Sequence, residues 1–295
     1  MTAVAFVAHH EQDQVAGIAR AAIEWLRAEG HEAWIVAEDA AVHGLDALGA
    51  TAPLGAADLV VSLGGDGTTL RTVGLLDGAA VPVLGVNLGL LGYLTEIEAP
   101  ELISVLARVV MEPESGGWHL DVRMLLSIDV RGSATGSWRA LNEVVVEKHQ
   151  AGHTIHLLAR IAGEPFTGYA ADGLIVATPT GSTAYSLSAR GPVVSPHHRA
   201  LLLTPVSPHM LFDRTLVLDP REVVEIEVAG FRDAELAVDG RVVATLTPGD
   251  VVTCRPAEQT ASFVRVRPYH FHQILKAKFG LTDRIGGGGA GPGAS

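Results

Sequence analysis

Residues 58–76 read DLVVSLGGDGTTLRTVGLL, and this stretch decides the fold of the first part of the chain. Its first six residues form a nearly continuous apolar run, which is typical of a parallel strand buried on both faces. Glycines interrupt the run, and residues 68–76 then have the composition of a helix. A buried strand, a glycine turn and a helix in this order predict one unit of an open parallel sheet.

The residues before and after this stretch repeat the alternation. Short apolar runs at 4–8, 33–36 and 81–86 predict further strands. Between the first two runs, apolar residues recur at helical spacing, and Gly30 follows where a C-terminal cap belongs. The residues on that helical face are Val15, Ile18, Ala19, Ala22 and Leu26. We therefore expect residues 1–99 to form an α/β domain with an open parallel sheet.

The pattern changes after Pro100. One helix is predicted at 102–111, and from 121 to 266 many short β-branched runs are separated by Gly, Pro and Asp. Such regular spacing predicts an all-β, sandwich-like domain, assigned to residues 100–267, with one helical interruption at 182–189. A last helix, in a segment spanning 268–285, is expected to return to the first domain. The glycine-rich tail at 286–295 is expected to be disordered.

The overall composition excludes several classes of protein. The chain has 295 residues, of which 48% are hydrophobic and 18% charged, so it can form sizeable cores. The mean hydropathy is +0.29, yet no window of about 18 residues lacks charges and helix breakers, so no membrane span is expected. The N-terminus has no basic segment and does not resemble a signal peptide. A single cysteine, Cys254, excludes a disulfide framework and fits a cytoplasmic protein.

Lysine is rare in this acidic chain. The net charge is −12, and only Lys148, Lys276 and Lys278 among the 21 basic residues are lysines. No Gly-Lys pair occurs, which excludes a Walker A phosphate loop. The absence of a basic cluster argues against nucleic-acid binding. If the protein binds phosphates, we expect backbone amides, arginines and a metal ion to do so.

The strongest chemical signal is the glycine turn GGDGT at residues 64–68. Glycines let a ligand approach the backbone closely, and the free amides at the start of the following helix attract anions. Asp66 would repel a phosphate in this loop unless it binds a metal ion or accepts a proton from a substrate hydroxyl. The alternative is that Asp66 only caps the helix.

A second polar segment reads DGLIVATPTGSTAYSLS at residues 172–188. Its Thr and Ser hydroxyls and first-turn amides could bind polar ligand groups, and Tyr185 offers a flat surface on which a base could stack. Asn142 and Glu143 precede a β-branched run; Asn can bind an adenine edge and Glu can accept hydrogen bonds from ribose hydroxyls. Each of these features could also be purely structural, the first as a capped helix entry.

Taken together, these segments resemble the NAD kinase family. The resemblance is carried, in this order, by residues 64–68, 87–96 (NLGLLGYLTE), 142–143 and 172–188. The run at 204–218 and the turn VDGR at 238–241 are similar too, so the likeness extends from about residue 4 to residue 280. The GGDGT loop alone is shared with lipid kinases and loosely with phosphofructokinase, so residues 172–188 are the specific part.

The resemblance implies transfer of a terminal phosphate from ATP, or from inorganic polyphosphate, to the 2′-hydroxyl of the adenosine ribose of NAD. It implies Asp66 as the proton acceptor, a divalent metal ion (Mg²⁺ first) whose protein ligands the sequence does not name, and a homodimer or homotetramer. The positions that it implies as ligand contacts are Gly65, Gly67, Thr68, Arg71, Asn142, Glu143, His153, Asp172, Thr183, Ala184, Tyr185, Ser186 and Ser188.

Two positions depart from the family pattern, and two other functions compete. Arg190 stands where the family usually has a second glycine, and Leu90 where it commonly has a polar or basic residue. A lipid kinase would share the GGDGT loop, but it predicts a hydrophobic groove or basic membrane-facing residues, against which the acidic, lysine-poor composition counts. A nucleotide-binding regulator without catalytic activity would be expected to lack Asp66.

Overall fold

The computed structural model describes residues 1–281 except Asp13, Leu91, Pro113, Ser115 and Ala151. The helices are α1 (Gln14–Ala28), α2 (Ala37–His43), α3 (Asp66–Leu76), α4 (Leu102–Leu106), α5 (Tyr185–Ser188) and α6 (Phe271–Lys278). The strands are β1 (Ala3–Ala8), β2 (Glu32–Val36), β3 (Gly49–Ala50), β4 (Leu59–Gly64), β5 (Val83–Asn87), β6 (Ile97–Glu98), β7 (His119–Arg131), β8 (Gly136–Ala140), β9 (Glu143–Lys148), β10 (Ile155–Ile161), β11 (Glu164–Ala171), β12 (Gly173–Ala177), β13 (Leu201–Val206), β14 (Leu216–Leu218), β15 (Val224–Ala229), β16 (Ala234–Val238), β17 (Arg241–Leu246) and β18 (Val251–Arg265).

The first part of the chain forms the predicted parallel sheet. Strands β3, β2, β1, β4 and β5 are neighbours in that order and run parallel. Helices α1 and α4 pack on one face of this sheet, and α3 packs on the other. Burial on both faces explains the apolar runs in β1 and β4, every residue of which from Val4 and Leu59 onward is buried.

The later strands form two antiparallel layers. One layer has the order β14-β13-β12-β9-β16-β17, and β11, β10, β15, β18, β7 and β8 form the other. Alternate side chains of β10 and β15 point into a core between the layers, and this core also takes residues from β9, β12 and β13. The predicted combination of an α/β region and a sandwich-like β region is confirmed.

A single long strand joins the two regions. β18 pairs with β15 and β7 in the antiparallel layer, and near its end Phe263 pairs with Val83 of the parallel strand β5. Within the described part of the chain, twelve strands therefore belong to one continuous sheet. This continuity is not predictable from the sequence, because Pro256 and several polar residues interrupt the apolar pattern of β18.

The packing also bears on the predicted domain limits. Helix α4 and the π-helical turn that follows it (Ala107–Met111) contribute apolar side chains to the core of the parallel sheet. This core therefore extends past residue 99, where we placed the first boundary, and the exact limits stay a prediction. The predicted tail at 286–295 lies outside the described residues. Among the helices that the structure describes, none is long and apolar enough to cross a membrane.

Candidate active site

The carboxyl ends of three parallel strands meet at one edge of the sheet, where open α/β sheets bind their ligands. The glycine loop follows β4 at this edge, between the residues that follow β1 and β5. The loop is tied to both neighbours, since His9 N–H donates to Leu63 O (2.9 Å) and Leu88 N–H donates to Gly64 O (3.1 Å). The fold thus places residues 64–68 in the middle of this edge.

The glycines of this loop have two different roles. A Cβ atom on Gly64 would lie 2.1 Å from the Thr68 hydroxyl oxygen, so packing requires a glycine there. A Cβ atom on Gly65 or Gly67 would meet nothing within 4 Å. Their backbone faces open space, and the first amides of α3 have no partner within the helix. A phosphate could therefore approach this backbone closely.

Asp66, the first residue of α3, is held by the loop after β5. Its Oδ2 accepts a hydrogen bond from Tyr93 N–H and its Oδ1 from Leu94 N–H, both at 2.9 Å. The loop passes so close that a Cβ atom on Gly92 would lie 2.3 Å from Asp66 Oδ1. The side chain is still 30% exposed, and the Lys278 ammonium lies 3.7 Å from Oδ2. The carboxylate is thus fixed in direction and open to a ligand.

Arg71 does not point freely toward the loop. Its guanidinium donates to both carboxylate oxygens of Asp39, at 3.0 and 2.6 Å, and to Glu38 at 3.4 Å. Asp39 is fully buried and also accepts Ala8 N–H at 2.7 Å. Burial opposes ionisation of Asp39, but the hydrogen bonds from Arg71 and its other partners prevail and lower its pKa. Much of the charge of Arg71 is therefore neutralised, and its predicted contact with phosphates stays a prediction.

Two cavities open beside the glycine loop. The larger, of about 550 Å³, lies between α3 and the β16–β17 hairpin, and Gly67, Arg71, Asp239 and Arg241 line it. The smaller, of about 290 Å³, lies on the other side of the loop against the residues after β1. Its walls include His9, His10, Glu11, Gly67 and Thr68. Gly67 borders both cavities, so ligands in either could reach the loop.

The Asn142-Glu143 pair is held by the VDGR turn. The Asp239 carboxylate accepts the backbone N–H groups of Leu141 (2.8 Å), Asn142 (2.8 Å) and Glu143 (3.1 Å). Thr178 N–H in turn donates to Asn142 O at 2.8 Å. Three segments that the sequence singled out thus meet in space, and Asp239 connects them to the cavity beside the glycine loop.

Glu143 is a buried acid with an unsatisfied oxygen. Its side chain is 5% exposed, and among the described residues its Oε2 has no hydrogen-bond partner. Burial, followed by the charge of Asp239, raises its pKa to about 8, although Tyr185 N–H opposes the shift. Burial thus favours the protonated form of Glu143. A ribose hydroxyl could satisfy the unpaired oxygen.

We expect the Glu143→Gln variant to have a melting temperature that depends less on pH. Between pH 4.5 and about 8 the folded wild type holds the proton that unfolded chains release, so its stability falls as the pH rises. Glutamine removes this contribution. Thermal unfolding followed by circular dichroism across that range tests it, with exposed Glu24→Gln as the control. If the melting temperature changed equally with pH in the wild type and in Glu143→Gln, the raised pKa of Glu143 would be contradicted.

Residues 182–189 do not form the single helix that we predicted. A 3₁₀ turn (Thr180–Thr183) is followed by α5, and Ala184 between them is non-helical, with φ −100° and ψ −130°. Within the 3₁₀ turn the chain packs closely on residue 142, since a Cβ atom on Gly181 would lie 2.1 Å from Asn142 O. The Ser186 hydroxyl is buried against Thr204 at 3.0 Å, so it faces the protein core.

A third cavity lies beyond this turn. It measures about 290 Å³, and His153 lines it together with Lys148. Lys148 forms an ion pair with Asp172 at 2.7 Å, and Tyr185, 38% exposed, lies near both charges. Tyr185 lies beside Glu143, to which its backbone N–H donates, whereas Asp172 and the His153 cavity lie at Lys148, the opposite end of strand β9. Thr183 makes only a local contact, with Thr180 O at 3.4 Å, and Ser188 is exposed.

Comparison with known protein families decides the relationship. Residues 4–114 match the ATP-NAD kinase N-terminal domain, and residues 141–266 match the ATP-NAD kinase C-terminal domain. The chain belongs to the NAD kinase family. The two matched domains contain the glycine loop and the Asn142-Glu143 pair, respectively.

Relatives and solved structures agree with this assignment. The chain is 43% identical to the NAD kinase of Heliobacterium modesticaldum over 224 residues, which cover 75% of this chain and 78% of the relative. It is 32% identical to the NAD kinase of Caldanaerobacter subterraneus subsp. tengcongensis over 289 residues, which cover 96% of this chain and 100% of the relative. Two solved structures, each 25% identical, share the fold: yeast NADH kinase complexed with NADH (TM-score 0.84, covering 97% of this chain and 89% of that chain) and an Archaeoglobus fulgidus NAD kinase in complex with ATP (TM-score 0.71, covering 96% and 99%).

The departure from the NAD kinase pattern at Arg190 has a conformational consequence. Arg190 has a φ of +67°, a left-handed conformation that favours glycine. We expect Arg190→Gly to raise the free energy of unfolding by about 0.5–1 kcal/mol, because relief of left-handed strain exceeds the entropic cost of glycine. Urea denaturation tests this. Gly191→Ala should have the opposite effect, since its Cβ would lie 2.8 Å from Ser186 O. A destabilised Arg190→Gly would show that the Arg190 side chain makes a stabilising contact.

Two basic residues at the site of this NAD kinase family member are not predicted from the sequence. Lys148 and Lys278 each contact an aspartate that we singled out, Asp172 and Asp66 respectively. The rarity of lysine was the available signal, because two of only three lysines in the chain lie at these aspartates. The same rarity also excludes a Walker A loop and counts against a lipid kinase. Leu90, the other departure from the pattern, is 94% exposed.

Proposed function

We propose that the protein is an NAD kinase that transfers the terminal phosphoryl group of ATP to the 2′-hydroxyl of the adenosine ribose of NAD. The observation that carries this proposal is the fixed, accessible carboxylate of Asp66 within the glycine loop, between two ligand-sized cavities. Membership of the NAD kinase family supplies the reaction, and the site supplies the acceptor for the proton that the reaction releases.

In the proposed step, the ribose oxygen forms a bond to the terminal phosphorus as the bond from phosphorus to the bridging oxygen breaks. The electron pair of the broken bond leaves with ADP, and the hydroxyl proton passes to the Asp66 carboxylate. The amides of Tyr93 and Leu94 keep that carboxylate in place before the substrate arrives. Such positioning is the main contribution that a protein makes to phosphoryl transfer.

The residues around Glu143 are proposed to bind NAD. Asn142 and Glu143 would hold the adenosine end, with Tyr185 stacked on a ring and Asp172 at the base or amide. The exposed face of Tyr185 supports this assignment, because it can contact a ligand, and the buried Glu143 Oε2 has no hydrogen-bond partner among the described residues. The predicted contacts at His153, Thr183, Ala184, Ser186 and Ser188 remain part of the proposal.

A divalent metal ion, Mg²⁺ first, is also part of the proposal. Mg²⁺ commonly takes one or two carboxylates and completes its shell with substrate phosphates and water. The residues at the loop fit such an ion, since Asp66 is partly exposed and Glu11 lines the adjoining cavity. Among the described residues no group of three ligands could hold a metal alone, so the donor phosphates would supply most of the shell. When bound, the ion would neutralise charge on those phosphates.

We extend the proposal to the setting of the enzyme. The single, buried Cys254 fits a reducing cytoplasm. A homodimer or homotetramer is proposed from the family resemblance, as is the use of inorganic polyphosphate as a second donor. The predicted absence of nucleic-acid and membrane partners rests on the acidic, lysine-poor composition.

A donor panel tests the proposed function. The purified protein is incubated with Mg²⁺, either NAD or NADH, and either ATP or polyphosphate, and an NADP-specific dehydrogenase measures the product. We expect NADP from ATP and NAD, and its loss in excess chelator. Diacylglycerol replaces NAD in a parallel reaction that tests the lipid-kinase alternative. Tight NAD binding with no turnover by any donor would support the regulator instead and overturn the proposal.

A further inference from the structure

The C-terminal helix brings a cation to the proposed proton acceptor. Helix α6 has no buried residue, so it lies on the surface beside the loop that follows β5. Its two ends are anchored to the same side chain: the rings of Phe271 and Tyr93 are 6.1 Å apart, and the Lys278 ammonium lies 4.4 Å from the centre of the Tyr93 ring. The Tyr93 backbone in turn binds Asp66. The position of Lys278 is therefore set by the element that fixes the carboxylate.

The Lys278 ammonium lies close to Asp66 but does not form a hydrogen bond with it. The distance from Lys278 Nζ to Asp66 Oδ2 is 3.7 Å, which exceeds hydrogen-bond length. The carboxylate already accepts the amides of Tyr93 and Leu94. The two side chains are about equally exposed, at 29% and 30%. The ammonium can therefore direct N–H donors toward a ligand that contacts Asp66.

The cation that the sequence suggested for this role is engaged elsewhere. The Arg71 guanidinium forms ion pairs with Asp39 and Glu38. The distances from Arg71 Nη2 to the carboxylate oxygens are 2.6 and 3.4 Å, respectively. Phosphoryl transfer requires positive charge near the oxygens of the moving group, and this acidic chain has few cations to provide it. In the described structure, the basic side chain in contact with Asp66 is Lys278.

We propose that Lys278 is a further catalytic residue, whose ammonium binds the oxygens of the phosphoryl group while Asp66 accepts the hydroxyl proton. This inference rests on the proposed function. The ribose O–P bond forms, the bond from phosphorus to the bridging oxygen breaks, its electron pair leaves with ADP and the proton goes to Asp66. Lys278 remains protonated throughout and stabilises charge that is greatest in the transition state.

The Lys278→Gln variant tests this role against a purely structural one. We expect its kcat to fall about 10²–10³-fold, as is typical when one donor to the developing charge is lost. The dissociation constant for NAD, measured by titration calorimetry, should stay unchanged. The matched control is Lys276→Gln, which removes the same charge from the same helix and should retain wild-type kcat. A Lys278→Gln variant no slower than the control would overturn the inference.

Chemical rescue separates the charge of Lys278 from its packing. Cys254, the only cysteine of the chain, is fully buried, and burial raises the pKa of its thiol, so Lys278→Cys supplies the one accessible thiol. Alkylation with 2-bromoethylamine rebuilds an ammonium of nearly the original length and should restore most of the kcat. Alkylation with iodoacetamide adds a neutral group and should not.

The outcomes distinguish this inference from the proposed function. Equal kcat after the two alkylations would overturn the role of Lys278 while leaving NADP formation by the wild type intact. A wild-type protein that makes no NADP from any donor would instead refute the proposed function, and the inference with it. Bromoethylamine-treated wild type, which should keep full activity, controls for modification at other sites.

Discussion

Replacing Asp66 by asparagine is expected to lower kcat for NADP formation by about 10²–10⁴-fold, the usual contribution of a positioned general base. Asparagine has nearly the same shape but cannot accept the hydroxyl proton. The loss should appear in kcat, since a group that acts in the transition state contributes little to binding of the ground state. The coupled dehydrogenase assay at saturating NAD and ATP measures it.

The structure shows what else this substitution changes. The two carboxylate oxygens of Asp66 accept hydrogen bonds from the backbone N–H groups of Tyr93 and Leu94. The side chain of asparagine has only one acceptor oxygen, so one of these two N–H groups loses its partner. The dissociation constant for NAD should therefore be measured alongside kcat. Asp46→Asn, at an exposed aspartate that lines neither cavity beside the glycine loop, is the matched control and should leave kcat unchanged. Near-normal turnover by Asp66→Asn would refute the proton-acceptor role.

The second large effect is on stability. We expect Asp121→Asn to lower the free energy of unfolding by about 3–5 kcal/mol, because it leaves the buried Arg123 without its counterion and removes one of the two carboxylates that pair with Arg265. Asp121 binds Arg123 at 2.7 Å and Arg265 at 3.1 Å, and both arginines are at most 1% exposed. His197 adds a contact at 2.9 Å. Urea denaturation followed by fluorescence measures the change.

An exposed pair provides a close control. Asp219 and Arg221 have the same spacing in sequence as Asp121 and Arg123, and both aspartates have a pKa lowered to about 2. For Asp121, burial opposes the shift and the arginines outweigh it; for Asp219, the hydrogen bond from Arg221 lowers the pKa at the surface. Asp219→Asn should leave the urea midpoint nearly unchanged. Equal effects of the two substitutions would show that the buried network is not stabilising.

The same network gives a pH dependence of known sign. The pKa of Asp121 is lower in the folded state than its ordinary value of 3.8, so its contribution is complete above that pH. The contribution is lost as the pH falls from 3.8 toward about 2. The wild type should therefore lose stability over this range more steeply than Asp121→Asn does.

Local patterns in the sequence predicted most of the fold. The parallel strands were recognisable because strands buried on both faces are apolar at every position, as in β4. Helix α2 was missed because its seven residues, AEDAAVH, carry too few apolar side chains to show a period. The break at Ala184 was not predicted, since no glycine or proline marks it in the sequence.

The candidate site was predictable to the extent that its residues are adjacent in sequence. The glycine loop and residues 172–188 were found as motifs, each with its own chemistry. The partners of these residues were not, because Arg71 with Asp39 and Lys278 with Asp66 are brought together only by the fold. A charged residue in a motif therefore indicates an available charge, and its partner decides whether that charge can reach a ligand.

The shared strand β18 joins the two family domains through one continuous sheet. If residues 1–114 were produced alone, β5 would lose its neighbour on the side of β18 and expose backbone groups at a new sheet edge. The isolated β region would likewise end in a strand whose last residues have no parallel partner. A chimera that exchanges the two halves between relatives should therefore take β18 together with the parallel sheet that the end of this strand joins.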